Sequence, residues 1–180
     1  MFRSGECKIK VDKQLIEHDR VTDLAFVSDG SEEYVVKSII PGLKHTIIPH
    51  EKGKAPVKTG TLQNIDHIAF VVESETAEEV CQWYTTQFGF LRLDDVTVKT
   101  EFNGLLLKVV CSENRDFYLV FASSLSEPDQ FDQVKDFLKK NGPGLQHVAF
   151  ECDIVKQVRQ LKSVQFIKGS CKIKLEYNLA

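Results

Sequence analysis

No stretch of this chain approaches the roughly 20 uncharged apolar residues that a membrane helix requires, so a helical span is excluded. The opening residues, MFRSGECKIK, lack an apolar h-region, which argues against a secretory signal. Charge of one sign is not in excess: Lys and Arg total 23, Asp and Glu 26, for a formal net charge of −3. A dedicated nucleic-acid binder would show a basic excess, and no block of like charge marks an interaction tail. The five cysteines, Cys7, Cys81, Cys111, Cys152 and Cys171, are odd in number and widely spaced, with no CxxC. Neither a zinc site nor a disulfide framework reads that way. They fit small apolar residues kept reduced. What is present is ordinary: 180 residues, 42% hydrophobic and 27% charged, enough for one domain or two small ones with a real core.

Punctuation along the chain suggests three blocks. Val21 to Val27, Tyr34 to Ile40 and Leu43 to Ile48 read as strands, separated by Asp29-Gly30-Ser31 and Pro41-Gly42. The polar stretch 49–63, with two prolines and two glycines, reads as a linker. Ile65 to Val72 is a strand-length apolar run. Thr76 and Glu79 form the pattern of a capping box. Val80, Trp83, Tyr84, Gln87 and Phe88 then follow at helical spacing, and Gly89 ends the helix. Strand-like runs at Phe90–Thr100, Leu105–Cys111 and Phe117–Ser123 complete a β-α-β-β-β order. A third block opens with a helix near Asp129–Lys140, carrying Phe131, Val134, Phe137 and Leu138, and the Asn141–Gly144 turn stops it. Leu145–Cys152 reads as a strand, Val155–Leu161 as a short helix and Val164–Ile167 as the start of another strand. The tail KGSCKIKLEYNLA alternates weakly. The expected domains are residues 1–50, a linker at 51–63, and 64–180.

The strongest signal is a repeat. Ile65-Asp66-His67-Ile68-Ala69-Phe70 and Leu145-Gln146-His147-Val148-Ala149-Phe150 share one frame: apolar, polar, His, β-branched, Ala, Phe. Repetition reports architecture. If both units fold alike about a pseudo-two-fold axis, His67 and His147 occupy equivalent positions and can converge on one metal. Neutral imidazole suits iron, copper, nickel or zinc, and two histidines plus a carboxylate form the facial triad of non-haem Fe(II) oxygenases. The competing reading is a pair of core or edge histidines. His18 and His50 sit in polar surroundings and read as surface residues, while His45 has no repeat partner.

The frames NIDHIAF and GPGLQHVAF, with the βαβββ order between them, resemble the vicinal-oxygen-chelate superfamily. Within it they resemble 4-hydroxyphenylpyruvate dioxygenase and its relatives. The resemblance rests on the Asp66-His67 strand, on Trp83-Tyr84 with Phe88-Gly89-Phe90, on Thr100-Glu101-Phe102 and on the turn into Gln146-His147. It runs from about residue 18 to residue 166. DQVKDFLKKNGPGLQH is closer to the dioxygenase-like branch, similar to 4-hydroxymandelate synthases; the dioxygenase proper usually has alanine at the position of Pro143.

The resemblance implies an α+β fold of paired βαβββ modules, with the last module incomplete and the chain shortened at both ends. It implies His67 and His147 as ligands of a non-haem Fe(II), O2 as co-substrate, and Gln133 and Gln146 lining the substrate pocket. The implied substrate is a small aromatic 2-oxoacid, 4-hydroxyphenylpyruvate, oxidised with decarboxylation to 4-hydroxymandelate or homogentisate. Neither nucleic acid nor a membrane span enters as a partner, and a homo-oligomer is compatible with the family. The dioxygenase-like relatives are mitochondrial and the dioxygenase proper is largely cytoplasmic.

Three departures weigh against the activity. The family's third ligand, a glutamate on a late strand, finds no counterpart apart from a superficial echo at Glu176. The pocket serine falls at Leu107 and the pocket asparagine at Ser126. Residues 1–50 match only the later strands of the amino-terminal half. The alternative is a catalytically inert relative that binds a ligand or partner. A glyoxalase-type isomerase is a third reading, because one fold hosts many chemistries.

Overall fold

The computed structural model describes residues 7–11, 21–49, 62–99, 104–127, 130, 132–152 and 172–175. Among them stand two sheets and two helices, a mixed α+β architecture. The first sheet has the order β1-β2-β4-β3, formed by β1 (Cys7–Val11), β2 (Val21–Ser28), β3 (Tyr34–Lys37) and β4 (Lys44–Pro49). The second contains β5 (Leu62–Val71), β6 (Leu91–Arg92), β7 (Val96–Lys99), β8 (Gly104–Cys111), β9 (Tyr118–Ser124), β10 (Gly144–Cys152) and β11 (Lys172–Leu175). Its order is β11-β10-β5-β9-β8-β6, with β7 also on β8.

The two sheets share a motif. In the second, β5 runs parallel to β9, and β8 lies antiparallel beyond it. In the first, β2 runs parallel to β4, and β3 lies antiparallel beyond it. The second unit makes its crossover through helix α1 (Ala77–Phe88) and the strands β6 to β8, whereas the first crosses over through β3 alone. A parallel pair ordinarily has a helix laid over it. Here α1 serves both sheets. Its inward side, Ala77, Val80, Cys81, Tyr84 and Phe88, is buried. On one side it meets Ile68, Phe70, Val110, Leu119 and Phe121, and on the other Leu24, Phe26, Ile40, Leu43 and Ile47, all in one core. Phe26 packs edge-on against Phe88 and Phe90, with ring centroids 5.3 and 5.7 Å apart, a geometry aromatic pairs favour.

Buried polar groups in this core are satisfied, as burial demands. Asp23 takes the Thr46 N–H at 3.1 Å and the Thr46 hydroxyl at 2.7 Å, with Lys44 at 3.8 Å. His45 is fully buried, its Nδ1 3.0 Å from the Leu24 carbonyl and its Nε2 3.0 Å from the Tyr84 hydroxyl. A carbonyl only accepts, so Nδ1 carries the proton and the Tyr84 O–H donates to the bare Nε2. Burial pushes the His45 pKa down to about 4, against the opposing influence of the Leu24 bond and of Asp23. His45 is thus a neutral core histidine that ties the first sheet to α1.

Several expected boundaries shift for local reasons. The strand from Tyr34 stops at Lys37, because the Ser38 hydroxyl accepts the Ile40 N–H and Ser38 N–H bonds to Leu43. Thr76 precedes α1 but makes no side-chain cap; its hydroxyl donates to the Glu73 carbonyl instead, so the capping box does not form. Gly89 ends α1 in the left-handed region, as expected of a C-terminal glycine. The 90–100 run divides into β6 and β7 around Arg92, which turns back to the carbonyls of Leu93 and Val109 and pairs with Asp95. Helix α2 (Gln133–Asn141) begins at Asp132, whose carboxylate accepts the Val134 N–H at 2.6 Å. Most of the expected linker, the 155–161 helix and the 164–167 strand lie outside the described residues. Cys81 and Cys111 are buried, unpaired thiols, as the sequence suggested.

Candidate functional site

The repeated frames pair with each other. β5 and β10 run antiparallel, with Ile68 opposite Val148, His67 opposite Ala149, and Ala69 opposite His147. A pseudo-dyad therefore passes between Ile68 and Val148. Alternation along a strand sends Ile68 and Phe70 toward α1, where both are fully buried. It sends His67, Ala69, His147 and Ala149 to the opposite face. Each imidazole stands across from a methyl group and leans toward the other. The two Nε2 atoms are 3.2 Å apart and the rings cross at 78°.

Both strands carry a bulge at the same place in the frame. Between Leu145 and His147 the extra residue is Gln146; between Ile65 and His67 it is Asp66. On a regular strand, consecutive side chains point to opposite faces. A bulge re-aims them, and here it brings each polar residue beside the histidine that follows it. Asp66 Oδ2 lies 2.7 Å from His67 Nδ1, and Gln146 Oε1 lies 3.1 Å from His147 Nδ1. A carboxylate and an amide oxygen only accept, so both Nδ1 atoms carry the proton. Each Nε2 then turns a lone pair toward the other. A cation, whether a shared proton or a metal, is what satisfies that arrangement.

The spacing fits a metal. Two metal–imidazole bonds of about 2.1 Å place their nitrogens roughly 3.0 Å apart at a right angle and about 3.4 Å apart at a tetrahedral one. The observed 3.2 Å lies between. The orienting partners on Nδ1 match the outer shell that metal-binding histidines carry. Among the described residues, no group of three His, Cys, Asp or Glu gathers into a metal cage, and Glu176 lies outside them.

The ladder register defines the rest of this face. His67 shares a row with Tyr118 and Cys111, Ala69 with Val120 and Val109, and Val71 with Ala122 and Leu107. Across these three rows the face is apolar apart from the histidine end, with the Tyr118 phenol nearest His67 in register. Leu107, read from sequence as a pocket position, does lie on it. Ser126 is engaged elsewhere: its hydroxyl donates to Asp132 Oδ2 at 2.7 Å, beside Ser124 at 2.8 Å. Burial works against the Asp132 charge, but the bonds from Ser126, Ser124 and the Val134 and Lys135 backbone hold its carboxyl below the usual range. Gln133 stands exposed at the first position of α2 and makes no side-chain hydrogen bond among the described residues. The structure thus joins His67, His147 and Gln146, and leaves Gln133 outside that hydrogen-bonded group. Asp66 and the two alanines were visible in the repeat as letters, but only the paired bulges give them roles.

No family model matches the chain. It is 29% identical over 142 residues to 4-hydroxyphenylpyruvate dioxygenase of Yarrowia lipolytica, covering 72% of this chain and 34% of that protein. It is 31% identical over 112 residues to an uncharacterised protein of Synechocystis, covering 59% of this chain and 32% of the relative. The chain therefore spans about a third of the length of the curated relatives it matches. Among solved structures, a variant of 4-hydroxymandelate synthase from Streptomyces coelicolor superposes with a TM-score of 0.62 at 21% identity, over 77% of this chain and 51% of that one. A xylose isomerase-like TIM barrel/4-hydroxyphenylpyruvate dioxygenase fusion protein gives 0.52 at 15% identity, over 77% of this chain and 26% of its own. The sequence is thus similar to 4-hydroxyphenylpyruvate dioxygenase, and the fold is that of the vicinal-oxygen-chelate proteins of the 4-hydroxyphenylpyruvate dioxygenase and 4-hydroxymandelate synthase type.

Proposed function

We propose that the chain carries the metal-binding half-site of a non-haem Fe(II)- and O2-dependent dioxygenase. Its substrate is an aromatic 2-oxoacid of the 4-hydroxyphenylpyruvate type, oxidised with loss of CO2 to 4-hydroxymandelate or homogentisate. The observation that carries this reading is the approach of His67 Nε2 and His147 Nε2 to 3.2 Å, both with Nδ1 held by an acceptor. The similarity to the Yarrowia dioxygenase supports the choice of substrate. His67 and His147 would hold the metal, and Fe(II) bound there would supply open positions for chelating the oxoacid and activating O2. Asp66 and Gln146 keep both imidazoles in the orientation that presents Nε2. With its Oε1 on His147, Gln146 retains its NH2 group to donate to an oxygen of the ligand. The apolar rows Ala69-Val120-Val109 and Val71-Ala122-Leu107 offer a surface for an aromatic ring.

The test is O2 consumption by the purified chain with Fe(II) and 4-hydroxyphenylpyruvate, with the product identified by mass. Turnover abolished by His67→Ala and by His147→Ala supports the proposal. Turnover that ignores both substitutions overturns it. A folded chain that binds the oxoacid without consuming O2 supports the inert, ligand-binding reading instead.

A further inference from the structure

Tyr118 opens β9, directly after the turn that the Ser112 N–H closes on the Phe117 carbonyl. Leu119 and Phe121 are fully buried in the core against α1. Alternation then places Tyr118, with Val120 and Ala122, on the histidine face. In the parallel β5–β9 ladder Tyr118 stands directly beside His67. Neighbouring strands lie about 4.8 Å apart, so the phenol and the imidazole rise side by side.

The other neighbour of Tyr118 is Cys111. Ser112 and Phe117 form a hydrogen-bonded pair at 3.0 Å. Cys111 and Tyr118 are therefore the next, non-hydrogen-bonded pair, the kind whose side chains come closer. Cys111 is fully buried, whereas Tyr118 and His67 are each partly buried. The thiol thus takes up the β8 side of the ring, and the β5 side is shared with His67. The Tyr118 hydroxyl makes no hydrogen bond among the described residues. That contrasts with Tyr84, whose buried hydroxyl is spent on His45. A partly buried phenol is apolar in its body and needs a partner only at its tip.

The sheet order β10-β5-β9 puts Tyr118 and His147 on opposite sides of His67. Gln146 offers its NH2 group at the His147 end, and Tyr118 offers an O–H at the His67 end. Both donors are neutral, so they can pair with an anionic head group without placing a second cation beside the metal.

We propose that Tyr118 is a further substrate-binding residue of this site, its hydroxyl donating to the carboxylate of the 2-oxoacid. The assignment rests on the metal half-site proposed above and adds the group that selects an acid head. The apolar rows beyond it then receive the side chain of the acid.

The test uses the Co(II)-loaded chain and phenylpyruvate, a probe without a phenol of its own, so that a hydroxyl effect reads the acid end. Cobalt absorption reports metal binding, and its change on adding phenylpyruvate reports the acid. Tyr118→Phe keeps the ring and removes only the donor, and circular dichroism checks its fold. The expected result is unchanged Co(II) affinity with phenylpyruvate bound about tenfold more weakly, the scale of one lost hydrogen bond to a charged group. Wild-type affinity for phenylpyruvate in Tyr118→Phe overturns the assignment and leaves the metal site standing. A matching loss of Co(II) affinity overturns it too, because the phenol then acts through His67 and not on the acid. A wild-type chain that binds no Co(II) overturns the metal reading itself, and this assignment with it.

Discussion

Ala149 lies directly opposite His67 across the β5–β10 ladder, and the pseudo-dyad repeats this relationship between Ala69 and His147. The methyl groups leave the space into which the imidazoles lean. Ala149 is 2% exposed, so a larger side chain there has nowhere to go but between the rings. Ala149→Leu is expected to lower stability by about 1–3 kcal/mol through overpacking and to separate the two Nε2 atoms. Titration with Co(II), read by its absorption, should show binding lost in this variant at a temperature where it remains folded. Retained binding at wild-type affinity would mean the alanine is not what admits the pair.

Asp66 fixes the tautomer of His67 because its bulge places a carboxylate on Nδ1. In Asp66→Ala the Nδ1 proton loses its acceptor, and His67 is free to carry its proton on Nε2, which is then blocked as a ligand. Nitrogen-15 NMR of the metal-free chain should show the Nδ1–H form in the wild type and a mixture in Asp66→Ala. Metal affinity should fall by about 10–100-fold, the usual cost of losing such a partner. Asp66→Asn, which can still present an oxygen, should recover part of it. An unchanged tautomer in Asp66→Ala would remove the role assigned to the bulge.

His45 makes the fold sensitive to acid. An unfolded imidazole titrates near pH 6.5, whereas burial holds His45 to about 4 in the folded chain. Between those values the unfolded chain binds a proton that the native chain does not. Stability is therefore full above the unfolded value and declines as pH falls toward the folded one, by about 3 kcal/mol in all. Urea unfolding at a series of pH values should show this slope. His45→Phe should flatten it, while costing about 1–3 kcal/mol at neutral pH by leaving the Leu24 carbonyl and the Tyr84 hydroxyl without their partner. A slope equal in both proteins would assign the acid sensitivity elsewhere.

Asp132 joins the end of β9 to the start of α2. It accepts from Ser124, Ser126 and the Val134 N–H together. Asp132→Ala should cost about 1–2 kcal/mol, the value of a lost helix N-cap. Amide exchange should rise in the first turn of α2 and not in β5. Equal acceleration in both elements would show that the carboxylate supports more than this junction.

The local patterns were legible because they are local. Period-two alternation around His67 and His147, the helical stripe ending at Phe88-Gly89, and the shared six-residue frame all follow from side-chain direction and backbone preference along a few consecutive residues. They were enough to identify the two histidines and the βαβββ order. Thr76 shows the limit: the capping-box letters are present, yet its hydroxyl prefers the Glu73 carbonyl within its own turn. His45 shows another, since only packing against Phe26 and Tyr84 separates a buried core histidine from a surface one.

The amino-acid order alone thus established which residue types recur and which strands and helices they form, because those depend on near neighbours. Tertiary structure decided the rest. The extra residue in each of β5 and β10 appears only when the two strands are laid side by side, and it is what turns Asp66 and Gln146 onto their histidines. The sharing of α1 by two sheets depends on which elements meet after distant segments pack. The apolar surfaces buried there are chosen by complementarity of shape between segments far apart in the chain, which no short window of sequence contains.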